Sequence, residues 1–201
     1  MYETKTNVIW DLCSGLGGWT EAFVQAGWIV VRIETNPDLQ YVPFTLELDV
    51  TKWEDWVDDL PSPNVIVASP PCLEFSDALS APKTLARRQN KPYSPDLSVV
   101  QACLDIIDYT KPSTWVLENV RGSQEDFFPL IGARRQKLGP FYLWGNFPLM
   151  SLPVGYKHAK KDVDVHSGNP LRANIRAMIP FEMSYVLLQT LQGQTDLRRW
   201  C

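Results

Sequence analysis

The sequence predicts an α/β fold, and three observations predict it. Short apolar runs rich in β-branched residues, centred on residues 8–10, 65–68 and 115–117, have the length of buried strands. Longer stretches between them carry helical spacing, clearest over residues 97–109. A glycine turn, Gly15-Leu16-Gly17-Gly18, follows the first strand and opens a helix, which makes half of a nucleotide-binding unit.

Taken in order, residues 7–12 read as the first strand, with Asp11 at its end, followed by Cys13 and Ser14. The glycines let a ligand approach the backbone, and the helix start supplies free N–H groups. The helix is expected over residues 19–26, closed by Gly27. The spacing Gly-x-Gly-Gly differs from the Gly-x-Gly-x-x-Gly of dinucleotide sites, so pyrophosphate is not specifically implied. A second strand over residues 28–33 ends at Glu34, about 20 residues past the glycine turn, where an acid can accept from ribose hydroxyls. A third strand is expected over residues 44–50, with Asp49 near its end, placed to meet an adenine amino group. Residues 52–60 read as a short acidic helix, which Pro61-Ser62-Pro63 breaks.

Val65-Ile66-Val67-Ala68 is the most clearly buried strand, and Ser69-Pro70-Pro71-Cys72 follows it. The prolines fix φ at two positions and place Cys72 at the carboxyl edge of the sheet, where open α/β folds bind ligands. A cysteine there is a candidate nucleophile; taken alone it reads more readily as a small buried hydrophobe. Residues 73–96 lack periodicity and are expected to form a long mobile loop. The helix over 97–109 has Val99, Val100, Cys103, Leu104, Ile106 and Ile107 on its apolar side, which reads as core. The strand over 115–117 leads into Glu118-Asn119-Val120, so a carboxylate shares an edge with Cys72; alone, Glu118 also suits a helix cap. Residues 137–148 suit a hairpin, residues 151–170 are irregular and polar, and residues 180–191 read as a final helix with Pro180 in its first turn.

Bulk properties narrow the class. The 201 residues suit one domain, and 45% hydrophobic with 21% charged residues is ordinary for a soluble globular chain. No apolar run nears the ~20 residues of a membrane span, so no membrane partner is expected. Residues 1–5 show no signal pattern. Cys13, Cys72, Cys103 and Cys201 lack metal-ligand spacing, and His158 and His166 stand isolated, so no metal is expected; reduced thiols point to a cytoplasmic location. The net charge of −4 excludes a generally basic nucleic-acid binder. Bases nevertheless cluster as Lys83, Arg87, Arg88 and Lys91, as Arg134, Arg135 and Lys137, and as Lys157, Lys160 and Lys161. Each suits a solvated loop; together, near the candidate segments, they suit a phosphate backbone.

The ordered set Asp11-x-Cys-Ser-Gly-x-Gly-Gly18, Glu34, Pro70-Pro71-Cys72 and Glu118-Asn119-Val120 resembles the DNA cytosine-5 methyltransferases. The strings 69–76 and 139–145 look like its compact phage and prokaryotic branch, which connects the chain with restriction-modification. The resemblance implies a Rossmann-like S-adenosylmethionine-dependent methyltransferase fold, with a mostly parallel sheet and helices on both faces. It implies that Asp11, Cys13, Ser14, Gly15, Leu16, Gly17, Gly18, Glu34, Asp49 and Pro71 hold S-adenosylmethionine. It also implies that Cys72 adds to carbon 6 of a flipped-out cytosine, that Glu118 holds the ring, and that Arg134 and Arg135 contact the base. The implied partner is double-stranded DNA. The family's usual Gln-x-Arg-x-Arg pattern is replaced by Arg134-Arg135-Gln136-Lys137, and only residues 148–172 fill the interval of the usual recognition domain. Specificity is therefore expected to be loose, to lie in residues 151–170, or to come from a protein partner or self-association. RNA or a nucleotide remains open as substrate. A non-catalytic nucleic-acid-binding protein is the alternative from another class, and the missing third glycine disfavours a nicotinamide oxidoreductase.

Overall fold

Seven strands form one sheet in the order β3-β2-β1-β4-β5-β7-β6. They are β1 (Val8–Leu12), β2 (Ile29–Glu34), β3 (Thr45–Glu47), β4 (Val65–Ala68), β5 (Thr114–Asn119), β6 (Gln136–Leu138) and β7 (Phe141–Asn146). The computed structural model describes residues 7–158 and 168–196. The expectations for residues 1–5, Lys160, Lys161, His166 and Cys201 lie outside the described residues.

The first five strands run parallel and the β6–β7 hairpin is antiparallel. β1 and β4 are buried at every position, as strands covered on both faces must be. On one face, Ile9, Val65, Val67 and Val116 pack with Ala22 and Phe23 of α1 (Glu21–Gln25) and with Met183 and Leu187 of the final helix (Phe181–Asp196). On the other, Trp10, Ile66, Ala68 and Leu117 pack with Val100, Cys103 and Ile106 of the helix Ser98–Thr110, and with Trp56 and Phe127. The chain winds to one face after β1 and to the other after β4. The order reverses between these strands, which opens a crevice at their carboxyl ends.

Several boundaries differ from expectation. The first helix is shorter, because Trp19 and Thr20 belong to the turn before it. β3 stops at Glu47, so Asp49 lies beyond it and caps a 3-10 turn. The acidic helix is two 3-10 segments, Val50–Asp55 and Val57–Asp59, which part at Trp56 (φ −140°, ψ −12°), and the first is itself kinked at Lys52 (φ −117°, ψ 32°). The expected loop over 73–96 contains α2 (Pro82–Arg88), with Pro82 in its first turn. Two further helices had no sequence assignment. In chain order after α2, α3 is Ser98–Thr110, α4 is Gln124–Ile131, α5 is Arg172–Ala177 and α6 is Phe181–Asp196. Among the described residues, no helix is long and apolar enough to cross a membrane.

Candidate functional site

The turn after β1 is built by a buried arginine. Arg32 is 2% exposed. Its Nε donates to Thr20 Oγ1 (2.8 Å), its Nη2 to the Gly17 carbonyl (3.1 Å), and its Nη1 to the Pro43 carbonyl (2.9 Å). A Cβ on Gly17 would lie 2.4 Å from the guanidinium, so glycine there is a packing requirement as well as a φ requirement (φ +73°). Gly18 lies under the backbone of Ile179, whose carbonyl would sit 2.2 Å from a Cβ. By contrast, at Gly15 (φ +53°) an added Cβ would meet only Asn174 of α5, at 4.0 Å.

Glu34 accepts from the Gly15 N–H (2.9 Å) and from the Asn36 N–H (3.0 Å), so it holds the glycine turn against the tip of β2. Asp11 is fully buried. Its Oδ2 accepts from Thr20 Oγ1 (3.2 Å), while Oδ1 has no hydrogen-bond partner. Burial drives its pKa up to about 8, against the lowering effect of Arg32 and Thr20. The Ser14 hydroxyl is likewise buried and unpartnered. Two unsatisfied polar atoms beside an open glycine backbone are what a polar ligand in this turn would satisfy. Leu16 is half-buried at the same turn.

Two expected members point elsewhere. Cys13 has φ +56°, and its thiol contacts the Cys103 thiol within the core, so only its main chain belongs to the turn. Asp49 turns back on its own chain: Oδ1 accepts from the Thr51 N–H (2.9 Å) and Oγ1 (2.7 Å), which holds its pKa down.

The second half of the site follows β4 and β5. Ala68 is level with Leu117 in these parallel neighbours, so Ser69 and Glu118 emerge side by side. Asn119 Nδ2 donates to the Pro70 carbonyl (3.0 Å), which fastens the Pro-Pro-Cys turn to the tip of β5. Pro70 is buried and Pro71 exposed; Cys72 is half-exposed. Burial and the nearby Glu118 carboxylate push the Cys72 thiol pKa up. Burial pushes Glu118 up to about 7, with the Ser69 hydroxyl opposing it. The structure therefore brings Cys72 and Glu118 together, beside the turn that holds Asp11 and Glu34.

It does not bring Arg134 and Arg135 there. Gln136 is level with Leu143 and Leu143 with Glu118, so β6 lies two strands from β5, about 10 Å. Arg134 bonds Gln124 and lies over the Tyr142 ring, which faces the α3 layer, whereas Glu118 alternates with Leu117 onto the opposite face. Arg135 Nε donates to the Phe147 carbonyl (2.6 Å). The segment after Cys72 is also tied down. Tyr93 bonds Glu74, Arg121 pairs with Asp77 (3.0 Å), and Lys83 bonds the Gly122 carbonyl (2.9 Å) and Asp126 (2.7 Å). Of its basic residues, Arg87, Arg88 and Lys91 are exposed.

Sequence reasoning missed Arg32, Trp19, Ser69 and Asn119 as site-building residues. Only Asn119, beside Glu118, carried a positional signal. Among the described residues, no cluster of three or more His, Cys, Asp or Glu could hold a metal.

Comparisons with known proteins follow this geometry. No curated protein sequence matches the chain. A structure described as a DNA modification methyltransferase encoded within an E. coli prophage aligns at 21% identity and TM-score 0.41, over 61% of this chain and 34% of that one. A mutant of Spodoptera frugiperda DNMT2 aligns at 21% identity and TM-score 0.41, over 60% and 37%. A SAM-dependent methyltransferase from Archaeoglobus fulgidus aligns at 16% identity and TM-score 0.36, over 68% and 57%. The chain thus spans about a third of the first two and just over half of the third. The family model for C-5 cytosine-specific DNA methylases matches residues 8–126, more than half of the chain and the whole interval from β1 into α4. The chain belongs to the C-5 cytosine-specific DNA methylase family.

Proposed function

We propose that the protein methylates carbon 5 of cytosine in DNA. One observation carries the reading: Cys72 and Glu118 stand on adjacent parallel strand tips, fastened by the Asn119–Pro70 bond, next to a glycine turn with unsatisfied buried polar atoms. The main chain of residues 14–18, Asp11, Glu34 and Pro71 would hold S-adenosylmethionine. When bound, that cofactor supplies an electrophilic methyl group.

The chain's own residues supply the rest. Cytosine carbon 5 is a weak nucleophile. Addition of the Cys72 thiolate at carbon 6 forms a carbon–sulfur bond and moves the ring π electrons toward carbon 5 and nitrogen 3. Glu118, protonated at neutral pH in a substantial fraction because burial raises it, donates to nitrogen 3 where charge develops. After methyl transfer, loss of the carbon 5 proton returns the electron pair to the ring and expels the thiolate. In the resting protein Cys72 is a thiol, so its proton must leave as the base arrives. Carbon 6 is out of reach inside a duplex, so the base is extruded. Arg87, Arg88 and Lys91 on the segment after Cys72 are exposed and suited to phosphates.

The test uses duplex DNA and methyl-labelled cofactor, with Cys72→Ala as control. The expected result is label on carbon 5 of cytosine, lost in Cys72→Ala. Label transfer that survives Cys72→Ala, or cofactor-independent DNA binding with no transfer at all, overturns the reading.

A further inference from the structure

Trp19 is 1% exposed, and its indole Nε1 donates to Ser69 Oγ over 2.9 Å. Ser69 stands beside Glu118 at the tips of the neighbouring parallel strands, close enough for its hydroxyl to oppose the rise in the Glu118 pKa. An indole N–H can only donate. It therefore occupies a lone pair of Ser69 Oγ and leaves the serine proton for the carboxyl. The Ser69 backbone is itself fixed, its N–H bonded to the Leu12 carbonyl at 3.1 Å. Trp19 directly follows Gly17-Gly18, so the Trp19–Ser69 hydrogen bond carries the glycine turn to the strand tip beside Glu118.

We infer that Trp19 and Ser69 are positioning residues: the indole orients the Ser69 hydroxyl, and that hydroxyl binds one side of the Glu118 carboxyl and leaves the other for the substrate ring. This rests on the reading of Glu118 as the group that holds the base. Such a hydrogen bond favours the ionised carboxylate, and the Ser69 hydroxyl restrains the rise that burial causes. Among the described residues, Cys72 is the titratable group that acts on Glu118's surroundings from the β4 turn. β7 presents Leu143 opposite Glu118, and α6 presents Met183 and Leu187 to that layer while its Glu182 is exposed.

The test is Ser69→Ala, with Ser69→Thr as the hydroxyl-retaining control and Trp19→Phe alone and combined with Ser69→Ala. Glu118 is titrated by carbon-13 NMR without substrate, and kcat is followed against pH. In Ser69→Ala the Glu118 titration and the high-pH limb of kcat are expected to move up by about one pH unit, and kcat at neutral pH to fall roughly tenfold with little change in KM. Ser69→Thr restores both. Trp19→Phe moves the titration in the same direction, and the double variant matches Ser69→Ala because Trp19 acts through Ser69. If Trp19→Phe does not fold, the Ser69→Ala and Ser69→Thr pair decides. An unmoved Glu118 titration in Ser69→Ala overturns the inference, as does an additive double variant. The NMR titration needs no turnover, so a shifted titration in a protein that methylates nothing sinks the proposed function and leaves this hydrogen-bond chain standing.

Discussion

The Asn119 side-chain amide donates to the Pro70 carbonyl across 3.0 Å, joining the tip of β5 to the turn that carries Cys72. Its own Oδ1 accepts from the Val120 N–H at 2.9 Å, so the amide is held at both ends. Asn119→Ala removes the fastening and leaves the Pro70 carbonyl without its donor. The expected loss is about 1–2 kcal/mol of stability in urea unfolding. The larger expected effect is on kcat, a fall of roughly ten- to hundredfold, because a small displacement of the proposed nucleophile is costly. A fall in stability with unchanged kcat would show that the turn holds Cys72 without this bond.

The Glu118 carboxylate is one of two causes that raise the Cys72 thiol pKa. Glu118→Gln removes the charge and keeps the shape, so Cys72 is expected to ionise at lower pH. Iodoacetamide alkylation of the Cys72 peptide, followed by mass spectrometry against pH, reads this directly. An unchanged profile would mean that burial alone sets the thiol.

Asp11 and Glu118 are both acids raised by folding, from 3.8 to about 8 and from 4.5 to about 7. The native state then binds more protons than the unfolded chain between those values. Stability is full below the unfolded pKa values and is lost as pH rises through the interval, by up to about 1.4 kcal/mol per pH unit for each proton. Asp11→Asn should flatten the dependence between roughly pH 4 and 8. Urea midpoints measured across that range check it; a wild-type protein that gains stability over the same interval contradicts the sign.

Gly18 lies against the Ile179 carbonyl, where a Cβ would come within 2.2 Å of backbone. Gly18→Ala must push apart the glycine turn and the chain leading into α6, at an expected roughly 2–4 kcal/mol. Cofactor affinity by calorimetry should fall with it. At Gly27 an added Cβ meets nothing within 4 Å. Gly27→Ala therefore reports the strain of φ +75° alone and should leave cofactor affinity unaltered.

Arg134 and Arg135 bond Gln124 and the Phe147 carbonyl at the sheet's edge, away from Glu118. If they act on substrate at all, they act as exposed cations. Arg134→Ala is expected to weaken DNA binding and to reduce the slope of log affinity against log salt by about 0.9 if it contacts one phosphate. The pH profile set by Glu118 should not move. A moved profile would place this arginine at the reacting base.

Much of the fold was legible because buried parallel strands write themselves as uninterrupted apolar runs, and β4 and β5 did so. The glycine turn and the Pro-Pro-Cys turn were legible because backbone geometry demanded particular residues. Arg32 was not, since a charged residue within an apolar strand becomes a core element only through Gly17, 15 residues away, which offers no Cβ to exclude it. Helix α2 hid within a segment of mixed polarity, and its anchor, the Lys83–Asp126 pair, spans 43 residues. Helix α4 hid behind Pro129. Ser69 carried no local signal, because its partner Trp19 and its neighbour Glu118 are set by the fold and the sheet register rather than by adjacent sequence.

The Ser184 hydroxyl accepts from the Ala22 N–H at 3.0 Å, across 162 positions of chain. With the Ile179 backbone pressed on Gly18, it means that the turn after β1 is finished by a segment far downstream in the chain. On the ribosome, a nascent chain would carry the Asp11–Gly18 loop without the parts that lock it until Ile179 and Ser184 have emerged, exposing apolar α1 surface meanwhile. Methyl-donor binding should thus appear abruptly once Ile179 and Ser184 are in place, and chains released before Ile179 should be inert and prone to aggregate.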